Sequence, residues 1–218
     1  MKSIHRKLMK IPKVRINTEK SRTIATFSSE CGSALKKRII LKEKNEHMRW
    51  LLVFEKTAPK TIDIAVTLAA KGACVDIGFA WHGTKNMASD IMLTVSHEAP
   101  KTESRVAFGA ALEGMSKVYF RGLARVAKKA VGSRAHLSAK ALMLSPRAIA
   151  FLKPDLEVAT SEAIAGHGSS VGRPSDKELF YLSSRGMTEI RAKKMLCDAF
   201  LKDITKSQIA IPSSHGIV

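Results

Sequence analysis

The chain is short of aromatic residues, of cysteine and of acids, and it has no long apolar run. Aromatics are 6% of its 218 residues. Small and β-branched side chains must therefore fill much of any interior, which suits narrow, layered architectures. The three cysteines, Cys31, Cys74 and Cys197, are widely spaced and odd in number, which argues against a disulfide scaffold and for a reducing cytoplasm. No C-x-x-C pair occurs, so a permanent zinc or four-cysteine cluster site within one chain is not expected. No stretch reaches the roughly 18–20 apolar residues of a membrane span. The basic N-terminus is not followed by the apolar core of a signal peptide. A G-x-x-x-x-G-K-[ST] loop is also missing, so the chain is not expected to bind or hydrolyse ATP.

What is abundant is positive charge: 37 Lys and Arg against 19 Asp and Glu, a net charge of +18. Such chains often bind nucleic acid. Here, though, 14 of the basic residues and only 4 acids fall in residues 1–50, scattered and without interleaved aromatics. That pattern reads as a solvated basic arm over residues 1–48, with one strand near Arg38 to Leu41. Nucleic-acid binding is not expected as the primary role.

From Trp50 the texture changes. Short β-branched and apolar runs recur at Trp50–Phe54, Thr61–Leu68, Cys74–Trp81, Asp90–Ser96, Ser104–Leu112, Ser116–Val126, His136–Leu144 and Ala148–Val158. Several alternate, as in Ile62, Ile64, Val66 and Ile91, Leu93, Val95. No helical pattern intervenes, so a βαβ fold is disfavoured and a sandwich, barrel or β-solenoid remains. Few aromatics, alanine and glycine inside strands, and the lack of Asn-Gly or Asp-Gly hairpin turns favour the solenoid. Residues 49–174 are read as this core. A helical hairpin follows over 175–204, opened by Ser175 with Asp176 and Glu178 in its first turn and broken at Gly186. Residues 205–218 read as a polar tail. Such a hairpin either caps the open edge of a solenoid or docks a partner.

Three passages carry a specific signal: Pro154-Asp155-Leu156-Glu157-Val158, then His167-Gly168-Ser169-Ser170-Val171-Gly172, then Phe180-Tyr181-Leu182-Ser183-Ser184-Arg185-Gly186. In order and spacing they resemble the C-terminal core signature of the SufB/SufD family, which serves iron–sulfur cluster assembly in the SUF system. His97-Glu98-Ala99-Pro100-Lys101-Thr102-Glu103-Ser104-Arg105, Ser116 to Gly122 and Lys140 to Ser145 resemble upstream family segments. Together they cover about residues 60–200.

The resemblance implies a mainly β fold, a right-handed parallel β-helix core with a short C-terminal helical hairpin. It implies a non-ATPase component that dimerises through the β-helix and docks SufC, an ABC-type ATPase, through Phe180, Tyr181, Arg185 and Gly186. The partner across the dimer is a SufB-type chain or a second copy. A transient iron–sulfur cluster or iron would sit at that interface, with His167 as a ligand and Glu157 as a weaker candidate. The stretch before Pro154 has no cysteine, and His167 stands where SufB proteins carry glutamate. Both departures resemble SufD.

Other readings stay open. His167 could hydrogen-bond a tight bend, Glu157 could be an ion-paired strand residue, and Cys74 and Cys197 read as packed thiols. His97 and His136 read as strand-corner residues. The alternatives at the level of function are a minimal homodimeric SufB-type scaffold and, from another class, a basic β-solenoid that binds polyanions. A polysaccharide enzyme would need clustered carboxylates, whereas Asp63, Asp76 and Asp90 look isolated.

Overall fold

The computed structural model describes residues 21–27, 32–55 and 57–209, with backbone alone at 21–27 and 206–209. Eleven strands run through these residues. They are β1 (Ser21–Phe27), β2 (Ala34–Leu41), β3 (His47–Glu55), β4 (Thr61–Leu68), β5 (Cys74–Gly83) and β6 (Ala88–His97), then β7 (Glu103–Leu112), β8 (Lys117–Val126), β9 (Arg134–Met143), β10 (Ile149–Val158) and β11 (Ile164–Gly172). Helices α1 (Asp176–Ser184) and α2 (Glu189–Ile209) follow.

Every strand pairs with the one two places along, always in parallel. The odd strands form a six-stranded sheet A in the order β1-β3-β5-β7-β9-β11, and the even strands form a five-stranded sheet B. This is a parallel β-solenoid of about five coils, as the missing hairpin turns suggested. Alternation explains its core. In β4, Ile62, Ile64, Val66 and Leu68 are fully buried, while Thr61, Asp63, Ala65 and Thr67 face out. An aromatic stack runs through the core: Phe54, Phe79 and Phe108 stack up sheet A, with Phe120 of sheet B lying 4.1 Å from Phe108 between ring centroids.

The bends before β3, β5, β7 and β9 repeat one backbone device. Asn45, Gly72, Lys101 and Gly132 all adopt positive φ. Their amides hydrogen-bond along the solenoid axis, each to the carbonyl of the coil above, from Asn45 to Lys71 through Gly132 to Glu162. At Gly72 a Cβ would lie 2.1 Å from Asn45 Oδ1, so the stacked bend itself demands glycine there.

The segment 1–48, read as an arm, holds β1, β2 and the start of β3 from Ser21 onward, so the solenoid begins about 28 residues before the expected boundary. Residues 1–20 and Cys31 lie outside the described residues. Strand β11 also occupies a stretch expected to turn, and α2 runs five residues past the expected end of the helical segment.

The hairpin does not cap the solenoid. Helix α2 lies across the outer face of sheet A, over β5 and β7, where Cys197 and Leu201 pack on Ala80, Ala111 and Leu144. The outward positions beneath the helix, Ala80 on β5 and Gly109 and Ala111 on β7, are small for this reason. A Cβ on Gly109 would stand 2.3 Å from Ile204 Cγ1. The last coil is left open, with Ile149, Phe151 and Val158 of β10 and Ile164 and Val171 of β11 exposed. None of the described helices is long and apolar enough to cross a membrane.

Candidate functional site

At the open coil the packing logic of the core runs into solvent. Followed through the register of sheet A, Trp50, Ile77, Val106 and Leu137 stand in one column, and the next position is His167. The four apolar residues are buried and the imidazole is exposed, because β11 is the edge of its sheet. His136, Ser138, Lys140, Ser169 and Ser170 line the same shallow depression. Strand alternation turns His136 outward, so on the inward column this lining offers one imidazole, His167, with hydroxyls and no thiolate. It suits a single iron contact, whereas a cluster needs mostly sulfur ligands.

Glu157 lies on β10, in the other sheet, and is exposed. The structure joins it to Arg125, whose Nε donates a 2.5 Å hydrogen bond to Oε2. That bond, more than the Coulomb attraction, holds the carboxyl below its usual range. Of its two expected roles, the ion pair is the one observed.

Helix α1 is short but firmly bounded. Ser175 Oγ accepts from the Glu178 amide, and the Glu178 carboxylate accepts from the Ser175 amide, a reciprocal capping box. These bonds pull the Glu178 carboxyl downward in pKa. At the other end Gly186 takes φ +80°, and the Gly186 and Met187 amides bond back to Ser183 and Leu182, closing a Schellman turn. Between these caps Phe180 is 74% exposed and Tyr181 57%. The Arg185 guanidinium sits 5.4 Å from the centre of the Tyr181 ring. The four residues expected to dock a partner therefore lie together, exposed, on α1 and the turn that closes it.

The His97 motif is structural, and the structure says how. His97 ends β6, fully buried. Its Nδ1 is 2.8 Å from Thr102 Oγ1 and its Nε2 2.8 Å from Ser104 Oγ. Thr102 meets Ser133 Oγ at 2.8 Å and donates to the Ala99 carbonyl. Burial lowers the imidazole to about 4, so it is neutral and ties one bend to the next coil. His136, by contrast, is an exposed outward residue within β9, not a corner.

Two side-chain clusters were not visible in the sequence: His47, Cys74 and Asp76, and His82, Glu113 and Cys197. In each, the three ligand atoms lie within 4.8 Å of one another. The histidine and the carboxylate of each are one coil apart, 29 residues for His47 and Asp76 and 31 for His82 and Glu113, while Cys197 comes from α2. Only a coil length known beforehand would have aligned them. Asp76, 2% exposed, is ringed by His47 at 2.8 Å, Arg105 at 3.3 Å and Arg49 at 3.8 Å. Both packed thiols are weakly acidic: burial pushes Cys74 and Cys197 up to about 12.

Residues 17–200 match the family described as "SUF system FeS cluster assembly, SufBD core domain". The chain is similar to the iron–sulfur cluster assembly SufBD family protein of Staphylococcus epidermidis, 27% identical over 198 residues, covering 89% of this chain and 41% of that protein. A Staphylococcus aureus protein of the same description matches with the same identity and coverage. The chain thus spans about two fifths of the length of these relatives.

Proposed function

This chain belongs to the SufBD family of the SUF iron–sulfur cluster assembly system, and from that premise we propose that it is a non-ATPase assembly component that pairs through its open coil and offers α1 to a SufC-type ATPase. The observation that carries the reading is the concentration of exposed apolar side chains on two adjoining features. The last coil presents Phe151, Ile164 and Val171, and α1 presents Phe180 and Tyr181. Elsewhere the outward face of the solenoid is mostly charged or small, so these patches are the economical places for partners.

The nascent cluster, or its iron, is cargo in this reading. His167 would supply one ligand at the pairing surface, and thiolates would come from the facing chain, since among the described residues no cysteine lines the depression around it. The absence of a cysteine before Pro154 favours the SufD-like role over an autonomous scaffold. Part of the basic surface serves the fold, since Arg38, Arg121 and Arg125 are ion-paired to Asp63, Asp90 and Glu157 across neighbouring coils.

The test is co-purification with a SufC-type ATPase and a SufB-type partner, followed by anaerobic reconstitution of this chain alone. Retention of the ATPase, with no stoichiometric cluster on the isolated chain, is expected. A full cluster on the chain alone would instead make it a homodimeric scaffold. Failure to retain the ATPase, with tight binding of duplex DNA at physiological salt, would end the assembly reading.

A further inference from the structure

We propose that His82, Glu113 and Cys197 form a site for one borderline divalent transition metal, of the zinc, cobalt or ferrous class, which fastens α2 to sheet A. The three ligands come from three places in the fold: His82 from β5, Glu113 from the turn that directly follows β7, and Cys197 from α2. His82 Nε2 and Glu113 Oε1 are already 3.0 Å apart, and the Cys197 sulfur lies within 4.8 Å of both. Imidazole, carboxylate and thiolate together match the donors that such ions select, and three protein ligands leave a fourth position for water.

The thiol is 1% exposed and engages in no hydrogen bond among the described residues. The buried sulfur thus faces a histidine and a carboxylate on one side and the apolar cluster it packs in on the other. Its surroundings are negative: Glu113, Asp198 and Glu55 all act on it, offset by Lys194, which itself pairs with Asp198 at 3.2 Å. A cation would neutralise this concentration of carboxylates and stabilise the thiolate. The other cluster fails on the same criterion. There Arg49 and Arg105 flank Asp76, and a metal at His47 and Cys74 would sit against two guanidinium groups.

The site differs from the cargo surface, since it faces α2 on the outside of the solenoid and His167 lies at the open end. Its test is therefore independent of the proposed function. Cobalt(II) is titrated anaerobically into the full chain in which Cys31 and Cys74 are serine, leaving Cys197 as the sole thiol. One equivalent should produce a thiolate-to-cobalt charge-transfer band. Cys197→Ser should abolish it, and His82→Ala and Glu113→Gln, both at partly exposed positions, should each weaken binding at least about tenfold. Circular dichroism confirms that each variant is folded. The absence of the band in the folded single-thiol chain would overturn the proposal, as would undiminished affinity in His82→Ala. So would a band in the otherwise unaltered chain that vanished with Cys74→Ser.

Discussion

Leu137 and His167 are register partners on adjacent parallel strands. One is the last buried rung of an apolar column, and the other continues that column into water. The same backbone position thus changes from core to surface in a single coil. Leu137→Ala should destabilise the fold by about 2–5 kcal/mol, as truncation of a buried leucine does. His167→Leu should leave the urea midpoint of the isolated chain unchanged or slightly raised and should remove iron uptake by the assembled complex. If His167→Leu lost stability as severely as Leu137→Ala, the histidine would be a structural element of the last bend.

The buried His97 makes stability sensitive to mild acid. Its folded value of about 4 lies below the unfolded value near 6.5, so the unfolded chain binds more protons between them. The stabilisation is complete above pH 6.5 and is lost as pH falls toward 4, by roughly 3 kcal/mol in all. Urea unfolding at pH 7, 6 and 5 should show the decline, and His97→Gln should flatten it over this window. An unchanged slope in His97→Gln would assign the acid sensitivity to other groups.

Gly109 tests how α2 is seated. A side chain there meets Ile204 at 2.3 Å, so Gly109→Val should lift the helix without opening the solenoid. The readout is alkylation of Cys197, followed by mass spectrometry of its peptide. The rate should rise at least about tenfold, because local opening exposes a thiol that is otherwise buried. Phe108→Ala, deep in the core, should instead cost about 3–5 kcal/mol of global stability.

Phe180 and Tyr181 are exposed, so Phe180→Ala and Tyr181→Ala should each move the melting midpoint little, in line with surface changes of about 0.5 kcal/mol or less. Binding of the ATPase should weaken by about tenfold or more for each, the behaviour of aromatic anchors at an interface. Gly186→Ala, which forces a side chain into a positive-φ position, should weaken binding through loss of the α1 stop. Unaltered affinity in both aromatic variants would place the docking surface elsewhere.

How far the sequence carried these conclusions depends on the residue. The alternation of Ile62, Ile64 and Val66 disclosed strand and facing together, and Ser175 with Glu178 disclosed the helix start. Strand β1 was obscured because Arg22, Thr23 and Ile24 sit in a basic segment with weak periodicity. Strand β11 was obscured because Gly166, Gly168 and Ser169 have little β propensity; it exists because β9 offers an edge for its backbone to pair with. The coil length drifts, from His47 to Cys74, Glu103, Arg134 and Ile164 in steps of 27, 29, 31 and 30 residues. No fixed repeat therefore aligns His82 with Glu113 on paper. The seat of α2 is half legible: alanines and glycines within strands mark a solenoid, and their outward column is what admits the helix.

The unsheathed β11 gives the molecule a direction. A second copy joining there about a twofold axis would run its strand opposite to β11, and that contact would pair the β11 edges of the two copies with each other. Growth at this end would stop at two, with the paired His167 side chains brought near the axis. A copy added in the same orientation would instead leave a fresh edge after every addition and build a fibre. The choice between a closed pair and an endless stack thus rests on the orientation taken by the first partner to reach that strand.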